Sequence, residues 1–100
     1  NIIQGIDRKI PLEDLAHSNH LDMDQLLNEL DALVASDTKV NIDYYLEENI
    51  DEYTREDIHD FFMEAESDSP EEAFEELSED DITMEEIRLM RIKFLSDLGN

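Results

Sequence analysis

Along the chain, apolar side chains return every three or four positions, the spacing that places them on one face of an α-helix. Leu12, Leu15 and Ala16 form a short first stripe, and Met23, Leu26, Leu27, Leu30, Leu33 and Val34 a longer second one. Ile42, Tyr45 and Leu46 make a third, Ile58, Phe61, Phe62 and Ala65 a fourth, and Ala73, Phe74 and Leu77 a fifth. Met84, Ile87, Met90, Phe94, Leu95 and Leu98 complete the pattern, with Gly99 placed to stop the last helix. The spacing predicts helices over 11–18, 22–35, 42–49, 55–66, 70–77 and 84–98. This is an all-α fold, a single-domain bundle of about six short helices spanning residues 11–100. Its core is expected to centre on Leu15, Leu26, Leu30, Leu33, Phe61, Phe62, Phe74, Ile87, Phe94 and Leu95.

Helix starts are marked independently, by short oxygen-bearing side chains that satisfy the first free N–H groups, with a reciprocating acid or amide three residues on. Asp22 with Gln25, Thr54 with Asp57, Ser69 with Glu72 behind Pro70, and Thr83 with Glu86 fit that rule. Pro11 and Asn41 suggest two further starts. Glu64 to Asp68 and Ser78 to Asp81 read as short acidic connectors. Residues 1–10, with Gly5 and the Arg8–Lys9 pair, show no helical stripe and read as a lead-in from upstream chain. Asn rather than Met at position 1 fits a piece cut from a longer protein.

Composition reinforces the helical reading. Two glycines and two prolines in 100 residues leave little turn chemistry for β-hairpins. The absence of cysteine removes disulfides, thiolate nucleophiles and cysteine-based metal sites. No apolar run exceeds four residues, so neither a membrane span nor a signal peptide is expected.

Charge changes the picture more. The chain carries 29 Asp and Glu against 7 Lys and Arg, a net charge of −22. Polyanions are held by Lys and Arg through counterion release, so a free-standing nucleic-acid binder is excluded and an anionic membrane disfavoured. The charge is also unevenly placed. Residues 41–82 hold 18 acids and 1 base, whereas residues 83–100 hold 3 of each.

Catalytic motifs are missing: there is neither a G-x-S-x-G elbow nor a phosphate-cradling G-x-x-x-x-G-K-[ST] loop, and the segment reads as non-catalytic with no cofactor of its own. No segment has the D-x-[DN]-x-[DN]-G calcium loop, so the acids read as solvated helix surface. His17 and His20, with Asp22 or Asp24, could offer metal ligands, but Ser18–Asn19 between them looks like a helix end that would separate the two imidazoles.

Two shapes remain. Pro11–Ser18, a four-residue break and Met23–Ala35 have the length pattern of a helix-turn-helix unit. In a DNA-reading version the start of the second helix enters the major groove and needs Arg, Lys, Asn or Gln there. Here that surface is Asp22, Asp24, Gln25 and Asn28, of which only Gln25 and Asn28 suit base edges. In the last helix, Arg88, Arg91 and Lys93 concentrate three of the seven positive charges. With Lys39 they are the candidate contacts to nucleic acid or an acidic partner, although the favoured role for the three is as internal counterions, because an arginine fork takes two carboxylate oxygens at once.

The order of Leu12-Glu13-Asp14-Leu15-Ala16, the helix 23–35, Lys39-Val40-Asn41-Ile42-Asp43 and the closing stretch 82–91 resembles the helix-turn-helix domain at the far C-terminus of some bacterial RecQ-family DNA helicases. In that family a stretch of the form I-[ST]-x-x-E-I-R-L-[VM]-R ends the domain, and Glu86, Ile87, Arg88, Leu89 and Arg91 fit it. Residues 43–81 match in helical spacing alone. In the second helix, Leu26, Leu27 and Leu30 keep the family's apolar part while the polar positions are acidic.

The resemblance implies a cytoplasmic bacterial protein and an accessory module of an ATP-dependent 3′-to-5′ helicase in replication, recombination and repair. ATP, Mg²⁺ and Zn²⁺ would belong to upstream domains. The partner expected is the helicase's own basic domains, or another basic protein, meeting the acidic 43–81 surface. DNA would be reached through the parent chain. The rival reading is an independent acidic interaction module imitating the charge of DNA, and a weaker one is a divalent-cation sensor.

Overall fold

The computed structural model describes residues 2–98, the side chain of Glu79 excepted, and Gly99 lies outside the described residues. Among the described residues, seven α-helices follow one another: α1 (Ile2–Asp7), α2 (Leu12–Ser18), α3 (Met23–Ala35), α4 (Asp43–Asn49), α5 (Glu52–Glu64), α6 (Pro70–Leu77) and α7 (Met84–Leu98). There is no strand among the described residues. The Cα radius of gyration of 13.0 Å is that of one folded domain of this length.

Helix α7 organises the bundle. It packs against α3 on one side and α5 and α6 on the other, with α4 also touching it, while α2 lies across α3 and α1 against α2. A helix enclosed in this way is buried around much of its girth, so Leu89 and Ile92 enter the core beside Ile87 and Met90. A one-stripe reading of α7 omits both. It also misplaces Leu98, which is 65% exposed in the final turn.

The core contains Leu15, Leu26, Leu30, Phe62 and Ile87 as expected, and adds Leu12, Leu27, Ile42, Leu46 and Ile58. Leu33, Phe61, Phe94 and Leu95 pack against it but remain partly open. Phe74 is a correction, because it is 40% exposed while its neighbour Ala73 is the fully covered residue of α6. On so short a helix a one-residue rotation decides which apolar side chain meets α7, and the smaller one allows the closer approach. Between α5 and α7, Phe62 stacks on Phe94 at 5.6 Å between ring centres, within the range of favourable aromatic pairs.

Two of the four capping pairs form as read, and a third, at Ser69, forms one of its two bonds because the Ser69 N–H and the Glu72 carboxylate both turn to Ser67. Asp22 Oδ1 accepts the Gln25 N–H at 2.8 Å and Gln25 Oε1 accepts the Asp22 N–H at 2.9 Å, a complete capping box. Thr83 and Glu86 make the same exchange at the start of α7, and Ser69 Oγ accepts the Glu72 N–H behind Pro70. The fourth is corrected: α5 opens three residues earlier, capped by Asp51, whose Oδ1 accepts the Thr54 N–H at 3.1 Å. Thr54 therefore donates within the first turn, and its hydroxyl reaches Asp51 Oδ2 at 3.0 Å. Asn41 does not itself cap α4; Ile42 does, while Asn41 Oδ1 accepts the Asp43 N–H at 3.1 Å.

Residues 2–7 are helical where the pattern predicts none. Six residues are too few to display a period, yet Ile2 and Ile6 are four apart and both reach the core. Gly5 lets α1 press onto α2, since a Cβ there would stand 2.1 Å from Leu15 Cδ2. The acidic connector after α6 contains a 3₁₀ turn, Ser78–Asp80. Four reversals, at Lys9, His20, Asp37 and Asp81, use positive φ without glycine, with φ between 58° and 65°. A glycine-poor chain therefore closes its helices on side-chain-bearing residues.

Candidate functional site

The helix-turn-helix unit is α2, the break 19–22 and α3. The break is tied by the Leu21 N–H to Ala16 O at 2.8 Å, with His20 in the left-handed region at φ 59°. Leu12, Leu15 and Ala16 from α2 meet Leu26, Leu27 and Leu30 from α3 in the buried interior. This geometry fixes which polar groups the second helix can present.

Of those groups, the two that suit base edges have their oxygens engaged. Gln25 Oε1 belongs to the capping box, and Asn28 Oδ1 accepts from Arg88 Nη2 at 2.8 Å. Asp22 is the helix cap, and Asp24 lies 3.7 Å from Arg88 Nη1. Arg88 thus spans the start of α3 from the outside and covers part of the surface that a DNA-reading helix leaves open.

The basic residues of α7 turn toward carboxylates of the chain. Asp31 sits between two arginines, 2.9 Å from Arg88 Nη2 and 3.2 Å from Arg91 Nη1. Arg91 also donates through Nε to the Asp68 carbonyl at 2.7 Å and reaches that residue's carboxylate at 3.4 Å. It therefore fastens the connector between α5 and α6 to α3. Lys93 forms a separate cluster, 2.8 Å from Asp43 and 3.3 Å from Asp97, that secures the start of α4. Burial works against its charge, and the bond and charge of Asp43 with those of Asp97 outweigh it, so its pKa lies above the ordinary lysine value. The side chains of Arg88 and Arg91 are only 17% and 20% exposed.

The four candidate cations therefore do not gather into one patch. Arg88 and Arg91 share Asp31, Lys93 stands apart from them on α7, and Lys39 is exposed in the α3–α4 connector without an ion pair among the described residues. His17 and His20 are both exposed, and the turn at His20 separates them. Among the described residues, no group of three or more His, Asp or Glu is placed to hold a metal ion.

Two surface depressions were not anticipated from the sequence, both bordered by the acidic middle of the chain. One, of 290 Å³, lies between α4, α5 and α7 over Leu46 and Met90, with Arg55 and Lys93 among its walls. The other lies between α5 and α6 over Phe61, Ala65 and Leu77. The apolar stripes named Phe61 and Leu77, but that α5 and α6 stand side by side is a tertiary fact that spacing does not carry. No helix among the described residues is long and apolar enough to cross a membrane.

No curated protein matches the chain. Residues 1–46, which comprise α1, α2, α3 and the first turn of α4, match the family model described as RecQ-1-like, helix-turn-helix domain. The matched stretch contains the capping box of α3, the left-handed turn at His20 and the Asn28 and Asp31 partners of Arg88, whereas the closing segment 82–91 lies beyond it. Over residues 1–46, just under half of its length, the chain is therefore similar to the RecQ-1-like helix-turn-helix domain family.

Proposed function

We propose that the chain is a non-catalytic accessory domain of a RecQ-type ATP-dependent DNA helicase, and that it works by docking on a basic protein surface rather than by reading DNA. That surface belongs to the helicase's own domains or to another protein of the same machinery. The carrying observation is the fate of the positive charge. Arg88, Arg91 and Lys93 each hold carboxylates of the chain itself, while residues 41–82 carry 18 acids against the single base Arg55. A phosphate approaching α3 would have to displace Asp31 and Asn28 from Arg88 while passing Asp24. A cationic protein surface meets no such competition, and the field draws it in.

The test titrates the chain against a RecQ-type helicase core, and separately against forked and single-stranded DNA, at several salt concentrations. A complex with the protein core that weakens as salt rises, and no DNA complex at about 150 mM salt, is the expected result. Micromolar DNA binding at that salt, abolished by Arg88→Glu, would overturn the proposal.

A further inference from the structure

In the acidic stretch, apolar surface and unpaired charge coincide between α5 and α6 with no cation of the chain beside them. Between α5 and α6 a shallow groove of 390 Å³ has Phe61, Ala65 and Leu77 as its floor. Its rim is Asp57, Asp60, Glu64 and Glu76, and no cation lines it. Phe74, one helical turn before Leu77, is 40% exposed and extends the apolar strip along α6.

The rim acids differ from the acids around α7. Asp31, Asp43 and Asp68 are each neutralised by an arginine or lysine of the chain. Asp57, Asp60, Glu64 and Glu76 are exposed, and none of their carboxylates has a hydrogen bond or ion pair among the described residues. Their charge is therefore available to a partner. Phosphate and anionic lipid are repelled here, and a bare cation would use the carboxylates but not the floor. A second copy of the chain would bring another strongly acidic surface against this one.

We propose that the α5–α6 groove receives a cationic amphipathic protein segment, one large aliphatic or aromatic side chain lying on Phe61, Ala65 and Leu77 and flanking Lys or Arg side chains pairing with the four rim carboxylates. This is the helix-in-groove mode of recognition, in which apolar anchors supply most of the affinity and the charged rim supplies speed and selectivity. The inference rests on the docking function above and adds the location and the partner's chemistry.

The probe is a fluorescent peptide of about 15 residues built from Lys, Leu and Ala with leucines on one helical face, compared with a peptide of equal charge in which Gln replaces every Leu. The leucine peptide is expected to bind at least about tenfold more tightly, with amide shifts concentrated on residues 57–65 and 74–77. Glu64→Lys and Glu76→Lys, both at exposed positions, should each weaken it severalfold while the thermal melt of the domain is retained; Ala65→Arg should weaken it further. Equal binding of the two peptides, or shifts centred elsewhere, overturns the groove but leaves charge-driven docking standing. Failure of both peptides to bind overturns the two proposals together. Concentration-dependent shifts in the groove without peptide would assign it to self-association instead and overturn the partner named here.

Discussion

Ser96 on α7 and Val40 in the α3–α4 connector are joined by a buried hydrogen bond, the Val40 N–H donating to Ser96 Oγ at 2.8 Å across 56 residues of sequence. Ser96 is the only polar residue among the fully buried side chains described. Its hydroxyl answers a backbone donor that no helix or sheet can satisfy, because residues 38–42 run without regular structure between two helices. Ser96→Ala would strand that N–H in the interior, and an unsatisfied buried donor costs about 1–3 kcal/mol. The urea midpoint should fall accordingly with the slope unchanged; a midpoint within experimental error of the parent would mean that the connector finds water or another acceptor.

Asp31 is the second tie. It holds both Arg88 and Arg91 while remaining largely covered, with 30% of its side chain exposed. Asp31→Asn keeps the shape but leaves two mostly covered guanidiniums without their shared anion. A loss of about 1–3 kcal/mol is expected, since removal of one member of a covered charged network leaves the others desolvated and unpaired. The measurement is chemical unfolding of Asp31→Asn, Arg88→Gln and the double variant. The double should lose much less than the two singles combined, and strict additivity would show that Asp31 and Arg88 act independently.

Gly5 makes a prediction of opposite sign to helix propensity. Ala is the better helix former by about 1 kcal/mol. The added methyl, however, would fall 2.1 Å from Leu15 Cδ2 and 3.1 Å from Leu15 Cγ, against a residue that is 4% exposed. Leu15 must leave its rotamer or α1 must lift from α2. Gly5→Ala is therefore expected to destabilise by about 1–3 kcal/mol, the usual cost of overpacking. A raised melting temperature would show that α1 is seated more loosely than this contact requires.

What the sequence revealed and what it hid follow from the range of the interactions. The capping boxes at Asp22 and Thr83 were legible because donor and acceptor lie three residues apart. So was the helix-turn-helix, because its apolar stripes and the break between them are local. The burial of Leu89 and Ile92 was not, since it depends on α7 having neighbours on two sides. The fork chemistry of arginine pointed to internal pairing for Arg88, but nothing local named Asn28 or Asp31, 60 and 57 positions away. Phe74 was misassigned for the same reason, a short stripe on α6 leaving open which of two adjacent side chains faces inward.

High pH supplies the last test, through three groups that bind their protons more tightly in the folded chain than outside it. The Tyr45 hydroxyl donates to a carboxylate oxygen of Glu13, and Tyr44 donates to the Ile10 carbonyl. Burial is the main cause of the upward shift of both phenols from their ordinary 10.0, and the charge of Glu13 adds to it in each case. Lys93 is shifted up from 10.5, because Asp43 and Asp97 overcome the opposing effect of its burial. A group whose pKa is raised on folding contributes stability that is complete below its unfolded value and is lost as pH climbs through the folded one. The three therefore act in the same direction. Stability should be nearly level up to about pH 9 and fall steadily above about pH 10. Tyr45→Phe should lower stability at neutral pH, by removing the tie between α4 and α2, and make the alkaline decline shallower. Urea unfolding from about pH 8 to about pH 11 checks this, and a Tyr45→Phe curve parallel to the parent's would show that this phenol is not what the folded chain protects from ionisation.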